Sequence, residues 1–193
     1  IIDSILQGRD VLGIMPTGGG KSICYQVPAL LLEGITIVIS PLISLMKDQV
    51  DTLKEYGIAA ELINSTLSMQ EFREIISNAR EGMYKLLYVA PERLETESFI
   101  NLIEEVPISM VAVDEAHCVS QWGHDFRPSY TQIYRMIGRI SKRPIVTAFT
   151  ATATPNVKED IIRLLDLYEP YEYASSFDRA NLYFEVRKPS NKL

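Results

Sequence analysis

A glycine-rich turn joins an apolar run to a helical stretch in Val11-Leu12-Gly13-Ile14-Met15-Pro16-Thr17-Gly18-Gly19-Gly20-Lys21-Ser22. Consecutive glycines let backbone N–H groups turn inward around phosphate oxygens, which a Cβ atom would obstruct. Lys21 would bring a positive charge to the β- and γ-phosphates, and Ser22 a hydroxyl to Mg²⁺. The usual pattern has glycine where this chain has Met15, but an ordinary glycine-rich turn needs neither the lysine nor the hydroxyl. The stretch therefore predicts a phosphate-binding loop.

Short apolar, β-branched runs alternate with amphipathic stretches along the rest of the chain. Such runs are typical of strands that are buried on both faces of a parallel sheet. The predicted strands cover residues 11–15, 35–39, 59–63, 86–90, 110–113 and 145–149, and helical spacing is clearest in residues 42–56 and 157–167. The alternation predicts an α/β fold with a doubly wound, mostly parallel sheet. Ligands of such sheets bind beyond the carboxyl ends of the strands, so the residues that follow each run are the candidates for function.

An acidic pair follows the fifth predicted strand, where Val113 runs directly into Asp114 and Glu115. In proteins with a phosphate-binding loop, a carboxylate at the end of a neighbouring strand holds Mg²⁺, and Asp114 has that position. Glu115 is placed to polarise an attacking water. An arginine is also needed to stabilise charge on the γ-phosphate, and no arginine follows a strand in a suitable position. We therefore expect that arginine outside this sequence.

Both histidines and the only tryptophan lie within residues 117–130, His117-Cys118-Val119-Ser120-Gln121-Trp122-Gly123-His124-Asp125-Phe126-Arg127-Pro128-Ser129-Tyr130. The stretch is polar and lacks helical or strand periodicity, and long polar loops in compact domains are usually functional. Trp122, Phe126 and Tyr130 offer faces for base stacking, and Arg127 could pair with phosphate. The alternative is that the aromatic residues only anchor the loop and that His124 only braces it. Cys118 is most simply a small buried residue.

Composition excludes several classes of protein. The 193 residues suit one domain, and 47% hydrophobic residues argue against disorder. Two cysteines cannot form a disulfide framework, and no apolar run is long enough to span a membrane. The net charge of −6 argues against holding nucleic acid by bulk charge alone, yet residues 121–145 carry +4 and the remainder −10. A basic segment beside an aromatic loop favours a polyanion as partner; the alternative for Arg139, Lys142 and Arg143 is a solvated basic helix face.

Five motifs in sequence order resemble those of superfamily-two helicases. They are Thr17-Gly18-Gly19-Gly20-Lys21-Ser22, Ser40-Pro41-Leu42-Ile43-Ser44-Leu45-Met46-Lys47-Asp48-Gln49, Ala90-Pro91-Glu92-Arg93-Leu94, Asp114-Glu115-Ala116-His117 and Thr150-Ala151-Thr152-Ala153. The stretch Gln121-Trp122-Gly123-His124-Asp125-Phe126-Arg127-Pro128 resembles the aromatic-rich loop of the RecQ family specifically. The resemblance extends from Ile1 to about Asn181, and Met15 agrees with it because these helicases lack the first glycine of the strict pattern.

The RecQ resemblance implies an ATP-dependent DNA helicase that moves 3′ to 5′ and acts in replication, recombination and repair. It implies ATP and Mg²⁺ as cofactors, with Thr17 among the nucleotide ligands. DNA, as a single strand and at a duplex junction, is the implied partner. Residues implied to contact or sense the strand are Ser40, Pro41, Lys47, Arg93, His117, Gln121, Trp122, His124, Phe126, Arg127, Thr150 and Thr152. From the residues alone, Ser40 would be a helix cap, Lys47 an ordinary solvated lysine, and Thr152 a helix N-terminal signal before Pro155.

Parts of the RecQ pattern are missing from this sequence. It begins without methionine and lacks the upstream glutamine motif, so we expect a fragment: a first RecA-like domain in residues 1–181 and the start of a connection in residues 182–193. The resemblance implies a second RecA-like domain in cis that supplies the arginine. The chain alone is therefore not expected to unwind DNA. No membrane contact and a monomer are expected, located with the nucleoid in the cytoplasm of a bacterium or in the nucleus of a eukaryote.

Two alternatives stay open on the sequence alone. One is an RNA helicase of the same superfamily, because no residue reports on the 2′-hydroxyl independently of the family resemblance. The other is a non-catalytic nucleic-acid-binding module that kept the fold and lost turnover. Intact Lys21, Asp114 and Glu115 argue against the second alternative.

Overall fold

Seven parallel strands form one sheet in the computed structural model, which describes residues 1–175 together with Tyr183 and Glu185. The strands are β1 (Val11–Ile14), β2 (Ile35–Ile39), β3 (Ala60–Ile63), β4 (Leu86–Val89), β5 (Ile108–Val113), β6 (Ile145–Thr150) and β7 (Tyr171–Ala174). Their order across the sheet is β3-β4-β2-β5-β6-β1-β7, and every neighbouring pair is parallel. The predicted fold class is confirmed.

Within the described residues seven helices cover the sheet: α1 (Ile2–Leu6), α2 (Lys21–Leu31), α3 (Ile43–Glu55), α4 (Met69–Arg80), α5 (Glu97–Glu105), α6 (Gln132–Ile137) and α7 (Pro155–Leu164). Short 3₁₀ turns lie at Pro91–Arg93, Ala116–Val119 and Pro128–Thr131. Apolar side chains of α1, α2 and α3 pack with one face of the sheet, and those of α4 to α7 pack with the other. None of the helices among the described residues is long and apolar enough to cross a bilayer.

The predicted strands match β1 to β6 within one or two residues at each end, whereas β7 was not predicted. Continuous burial makes the first six conspicuous, since all four residues of β1 and all five of β2 are buried. β7 is an edge strand whose residues are exposed or half-buried, and its sequence Tyr-Glu-Tyr-Ala carries no apolar run. The predicted domain end at residue 181 and the connection at 182–193 lie outside the described part of the chain, apart from Tyr183 and Glu185.

A buried carboxylate fastens the amino-terminal edge of the sheet. Asp10 lies just before β1 and is 2% exposed. Its carboxylate accepts hydrogen bonds from the backbone of Val146 and of Tyr168, each at 2.8 Å, and pairs with Arg143 at 2.6 Å. A buried carboxylate is tolerated when its oxygens are this well satisfied. These contacts stabilise the amino-terminal edge of the sheet. The loops that carry the predicted motifs lie at the opposite, carboxyl edge.

Candidate functional site

The phosphate-binding loop follows β1 and leads into α2. Gly18 and Gly20 have left-handed backbone torsions, with φ of +78° and +84°, and a Cβ atom on Gly19 would lie 2.9 Å from the Pro16 carbonyl oxygen. The loop thus has the shape that glycines permit, and it is exposed to solvent from Thr17 to Gly20. Lys21 Nζ donates to the Met15 carbonyl at 3.2 Å, across the mouth of the loop. The loop and the N-terminus of α2 together form a cradle that suits phosphate oxygens.

Strand order places the acidic pair near this cradle, because only β6 separates β5 from β1. Asp114 directly follows β5 and is 8% exposed, and Glu115 comes next in a left-handed conformation with φ +47°. Burial, with the neighbouring Glu115 charge adding to it, raises the pKa of Asp114 to about 6, while Lys21 acts in the opposite direction. The hydrogen bond from His117 lowers the pKa of Glu115. Glu115 is therefore a carboxylate at neutral pH, as a residue that polarises water must be.

Stability of the chain should depend on the ionisation of Asp114. Because burial raises this pKa from 3.8 to about 6, ionisation of Asp114 destabilises the fold progressively between these two pH values; the cost is complete above about pH 6 and small near pH 4. We expect Asp114→Asn to raise the free energy of unfolding by about 3 kcal/mol at about pH 8 and by less than about 1 kcal/mol at about pH 4. Urea unfolding without Mg²⁺ measures both values. The control Asp51→Asn, at an exposed position of α3, should change neither; an equal gain at both pH values would contradict this cause.

His117 joins the acidic pair to the end of β6. Its Nδ1 atom lies 2.9 Å from Thr150 Oγ1 and 3.2 Å from Glu115 Oε2. Thr150 donates its hydroxyl proton to the Thr152 carbonyl at 3.0 Å, and the Glu115 carboxylate has no proton to give. Nδ1 must therefore carry the proton and donate to both oxygens. The Thr150 carbonyl also accepts from the Met15 backbone at 2.9 Å, so this cluster reaches the base of the phosphate-binding loop.

The aromatic loop, residues 118–127, stands beside His117. The His124 ring stacks on the His117 ring with 4.3 Å between centroids. Position 123 requires glycine, because a Cβ atom there would lie 2.4 Å from the His117 carbonyl oxygen. Arg127 pairs with Asp125 at 3.0 Å and donates to the Pro41 carbonyl at 3.1 Å. A cavity of about 310 Å³ is lined by residues of four motifs: Pro41, Leu42, Glu115, His117, His124, Asp125, Ala151 and Thr152.

The aromatic side chains of this region differ in exposure. Trp122 is 76% exposed, and Phe126 is half-buried. Tyr130 is fully buried, and its hydroxyl donates to the Asp114 carbonyl at 3.0 Å. The prediction that Tyr130 offers a stacking face is therefore wrong: its ring packs in the core and its hydroxyl satisfies the backbone of the acidic strand. Burial also raises the pKa of the Cys118 thiol to about 12, which agrees with a small buried residue.

Basic residues of segment 121–145 do not gather beside the aromatic loop. Arg127 pairs with Asp125, Arg139 lies 3.4 Å from Glu104, and Arg143 is bound to Asp10 at the amino edge of the sheet. The predicted basic footprint next to the loop is therefore wrong. Helix α6 and the turn after it place Arg139 and Arg143 at the amino edge of the sheet. There Glu104 and Asp10 neutralise their charges.

The remaining residues that were predicted to contact a DNA strand do not form one group in the structure. Ser40 is 2% exposed and its hydroxyl has no hydrogen-bond partner among the described residues, so its side chain is not open to a strand. It does not cap α3 either, whose N-cap residue is Leu42. Lys47 and Gln121 are exposed. Arg93 donates to the Asn64 carbonyl at 2.9 Å and covers the Phe72 ring, which makes it a packing residue in this conformation. Thr154, rather than Thr152, caps α7.

The grouped residues fit a nucleoside triphosphate with Mg²⁺. The exposed loop of residues 17–20 has the left-handed torsions at Gly18 and Gly20 that glycine permits, and Lys21 supplies a cation beside it. Ser22 and Asp114 offer a hydroxyl and a carboxylate, the oxygen ligands that Mg²⁺ prefers. A bound cation would also offset the cost of ionising Asp114, whose pKa is raised by burial.

Comparison with known families and curated proteins gives one consistent picture. Residues 1–160 match the DEAD/DEAH box helicase family model. The chain is 55% identical over 179 residues to the ATP-dependent DNA helicase RecQ of Bacillus subtilis, covering 93% of this chain and 30% of that protein. It is 50% identical over 196 residues to the protein of that name from Pasteurella multocida, covering 100% and 31%. The chain thus spans about a third of the length of these relatives.

Solved structures share the fold at low sequence identity. The helicase domain of Pyrococcus furiosus Hef superposes with a TM-score of 0.65 at 20% identity, covering 86% of this chain and 35% of that one. The DUF1998 helicase MrfA bound to DNA superposes with a TM-score of 0.70 at 18% identity, covering 90% and 26%. At such identities the likeness concerns architecture alone.

Proposed function

Because this chain belongs to the DEAD/DEAH box helicase family, we propose that it is the ATP-binding first motor domain of a RecQ-like DNA helicase that moves 3′ to 5′. The observation that carries the proposal is the cluster at the carboxyl edge of the sheet, where Glu115, His117 and Thr150 are hydrogen-bonded beside the phosphate-binding loop. Similarity to proteins named DNA helicases favours DNA over RNA as the track. We also propose that a second motor domain lies in the same polypeptide and that the protein is a monomer. We propose that it is located with the nucleoid in the cytoplasm of a bacterium or in the nucleus of a eukaryote.

The residues of this cluster have distinct roles in the proposed reaction. The loop amides and Lys21 bind and orient the phosphates of ATP. Ser22 and Asp114 would hold Mg²⁺, which when bound neutralises charge on the phosphate oxygens. Glu115, ionised at neutral pH, accepts a proton from the attacking water. An arginine of the second domain would stabilise the γ-phosphate, so one domain supplies half of the site.

We propose that the aromatic loop couples DNA binding to ATP hydrolysis. Trp122 faces solvent, where an unpaired base can stack on it. His124, two residues further along the chain, stacks on His117, and His117 donates to Glu115. A strand that moves the loop would therefore change the contacts of the residue that orients the catalytic carboxylate.

Replacing the loop aromatics tests this function in a protein that joins the chain to its second motor domain. We expect Trp122→Ala with Phe126→Ala to raise the concentration of single-stranded DNA needed for half-maximal ATPase stimulation by about tenfold or more, because a stacked base contributes ~1–3 kcal/mol. Steady-state ATPase assays with DNA and RNA oligonucleotides of equal length and sequence provide the measurement. The wild-type protein should respond to DNA more strongly than to RNA.

A matched control separates stacking from general damage. Tyr134→Ala removes an aromatic ring that is 53% exposed on α6, away from the loop, and should leave stimulation unchanged. Trp122→Ala alone, at a solvent-facing position, controls for loss of packing at half-buried Phe126. Unchanged stimulation in the double variant would reduce the two rings to surface anchors. Equal or greater stimulation by RNA would overturn the DNA assignment.

A further inference from the structure

Gln26 extends from the phosphate-binding helix to two other elements. It lies on α2, one helical turn after Ser22, and its side-chain nitrogen Nε2 is 2.8 Å from Gln49 Oε1 on α3 and 2.9 Å from the Tyr88 hydroxyl on β4. A glutamine amide carries two N–H groups, so both are used. Among the described residues, the Gln26–Gln49 contact is the one side-chain hydrogen bond that joins α2 to α3.

Burial makes this small network costly to rearrange. Tyr88 is 1% exposed, and Tyr25, which precedes Gln26, is equally buried. Gln26 and Gln49 are half-buried between the helices. A polar group in such a place costs free energy when its partner is lost, so the three side chains keep their relative positions. The Tyr88 hydroxyl therefore helps to orient the Gln26 amide, and the amide joins the two helices at this point.

The two ends of the network lie in different functional regions. α2 begins at Lys21, next to the phosphate-binding loop. α3 begins at Ile43, two residues after Pro41, whose carbonyl accepts from Arg127 of the aromatic loop. α3 also carries exposed Lys47. The Gln26–Gln49 hydrogen bond therefore connects α2, which would move when nucleotide binds, directly to α3, which adjoins the predicted DNA-binding face.

We propose that Gln26 is a positioning residue that transmits nucleotide binding from α2 to α3 through Gln49, with Tyr88 holding its amide in place. The proposal rests on the proposed function, because it takes the loop beside Lys21 as the nucleotide site. It adds a second connection, through α3, to the one that runs from Glu115 through His117 to the aromatic loop. Gln26 and Gln49 touch neither nucleotide nor strand in this role.

Hydrogen exchange of the purified 193-residue chain, with and without saturating ADP and Mg²⁺, tests the proposal by mass spectrometry of peptides from α2 and α3. In the wild type we expect ADP to slow exchange in α2 and, by about two- to tenfold, in α3, which is the range that one neutral hydrogen bond provides. In Gln26→Met and in Gln49→Met, which keep side-chain length, α2 should still respond and α3 should not. The double variant should match the single variants, because both remove the same contact.

Two further variants test the chemistry of the contact. Gln49→Glu retains an acceptor oxygen for Gln26 and should restore the response of α3. Gln70→Met changes an exposed glutamine on α4, at the other face of the sheet, and should leave both responses as in the wild type. Slowing of α3 in Gln26→Met to the wild-type extent, or no slowing of α3 in the wild type, would overturn the inference. Failure of ADP to slow α2 in the wild type would instead overturn the nucleotide site and the proposed function.

Discussion

Glu115→Gln should reduce ATP hydrolysis by about 10²- to 10⁴-fold in a protein that joins this chain to the proposed second motor domain, while nucleotide affinity changes by less than about threefold. The amide has the size of the carboxylate and keeps an oxygen that accepts the His117 Nδ1 proton, so the hydrogen bond at 3.2 Å can persist. The amide cannot accept a proton from the attacking water as the carboxylate does. Single-turnover hydrolysis and fluorescent-nucleotide binding, measured on the same preparation, separate the two effects.

The control for this variant is Glu159→Gln, at an exposed position of α7. It removes the same charge without touching the site, and it should hydrolyse ATP at the wild-type rate. Activity of Glu115→Gln within about tenfold of the wild type would show that another group accepts the proton. A parallel loss of nucleotide affinity would show instead that the substitution disturbs the phosphate-binding loop.

Lys21→Ala should weaken binding of ADP with Mg²⁺ to the 193-residue chain by about 10- to 100-fold, because a charged hydrogen bond contributes ~1.5–3 kcal/mol. The one hydrogen bond that the ammonium group makes among the described residues is to the Met15 carbonyl, so its loss should cost the fold little. Isothermal titration calorimetry gives the affinity, and urea unfolding gives the stability. The second motor domain is not needed for this measurement.

Lys54→Ala is the matched control for the loss of a lysine. Lys54 pairs with Glu61 at 2.7 Å on the surface, where such pairs contribute little, so neither affinity nor stability should change appreciably. Wild-type affinity in Lys21→Ala would contradict the assignment of the loop as the phosphate site. A large loss of stability would show that Lys21 has a structural role that its single hydrogen bond does not account for.

The fold was predictable from the sequence wherever burial was complete. β2 is buried at every position, and the run Ile-Thr-Ile-Val-Ile predicts its bounds without error. The edge strand β7 was missed because exposed positions accept Glu172 and tyrosines, so no apolar run marks it. Helix ends shift by one to three residues because side-chain contacts decide them locally, as at Thr154, which accepts from the Val157 backbone at 3.4 Å.

The candidate site was predictable where one motif supplies consecutive residues, as in the phosphate-binding loop. Contacts between distant segments were not. Nothing in the sequence says that Tyr130 is buried under Asp114, since an aromatic ring in a polar loop has the same pattern whether it faces in or out. Gln26 gave one weak signal, a lone amide in the otherwise apolar stretch Cys24-Tyr25-Gln26-Val27. Only the fold reveals that Gln49 and Tyr88 meet it.

Segment 121–145 shows why a count of charges misleads. The sum of +4 is correct, but the sequence does not show that α6 carries Arg139 and Arg143 away from the aromatic loop. The partners Glu104 and Asp10 lie 35 and 133 residues away along the chain. Local charge in a sequence predicts a surface only when the chain keeps those residues together, and here it does not.

Closure of the aromatic loop at its base has a consequence for binding entropy. The Arg127 backbone donates to the Cys118 carbonyl at 2.9 Å, and Tyr130 anchors the chain just beyond. The eight residues between these ends form a short closed ring, which samples far fewer conformations than an open segment of the same length. A strand that stacks on Trp122 therefore has little disorder to remove, and more of the stacking free energy appears as affinity. A small surface with little positive charge can in this way respond to a single base.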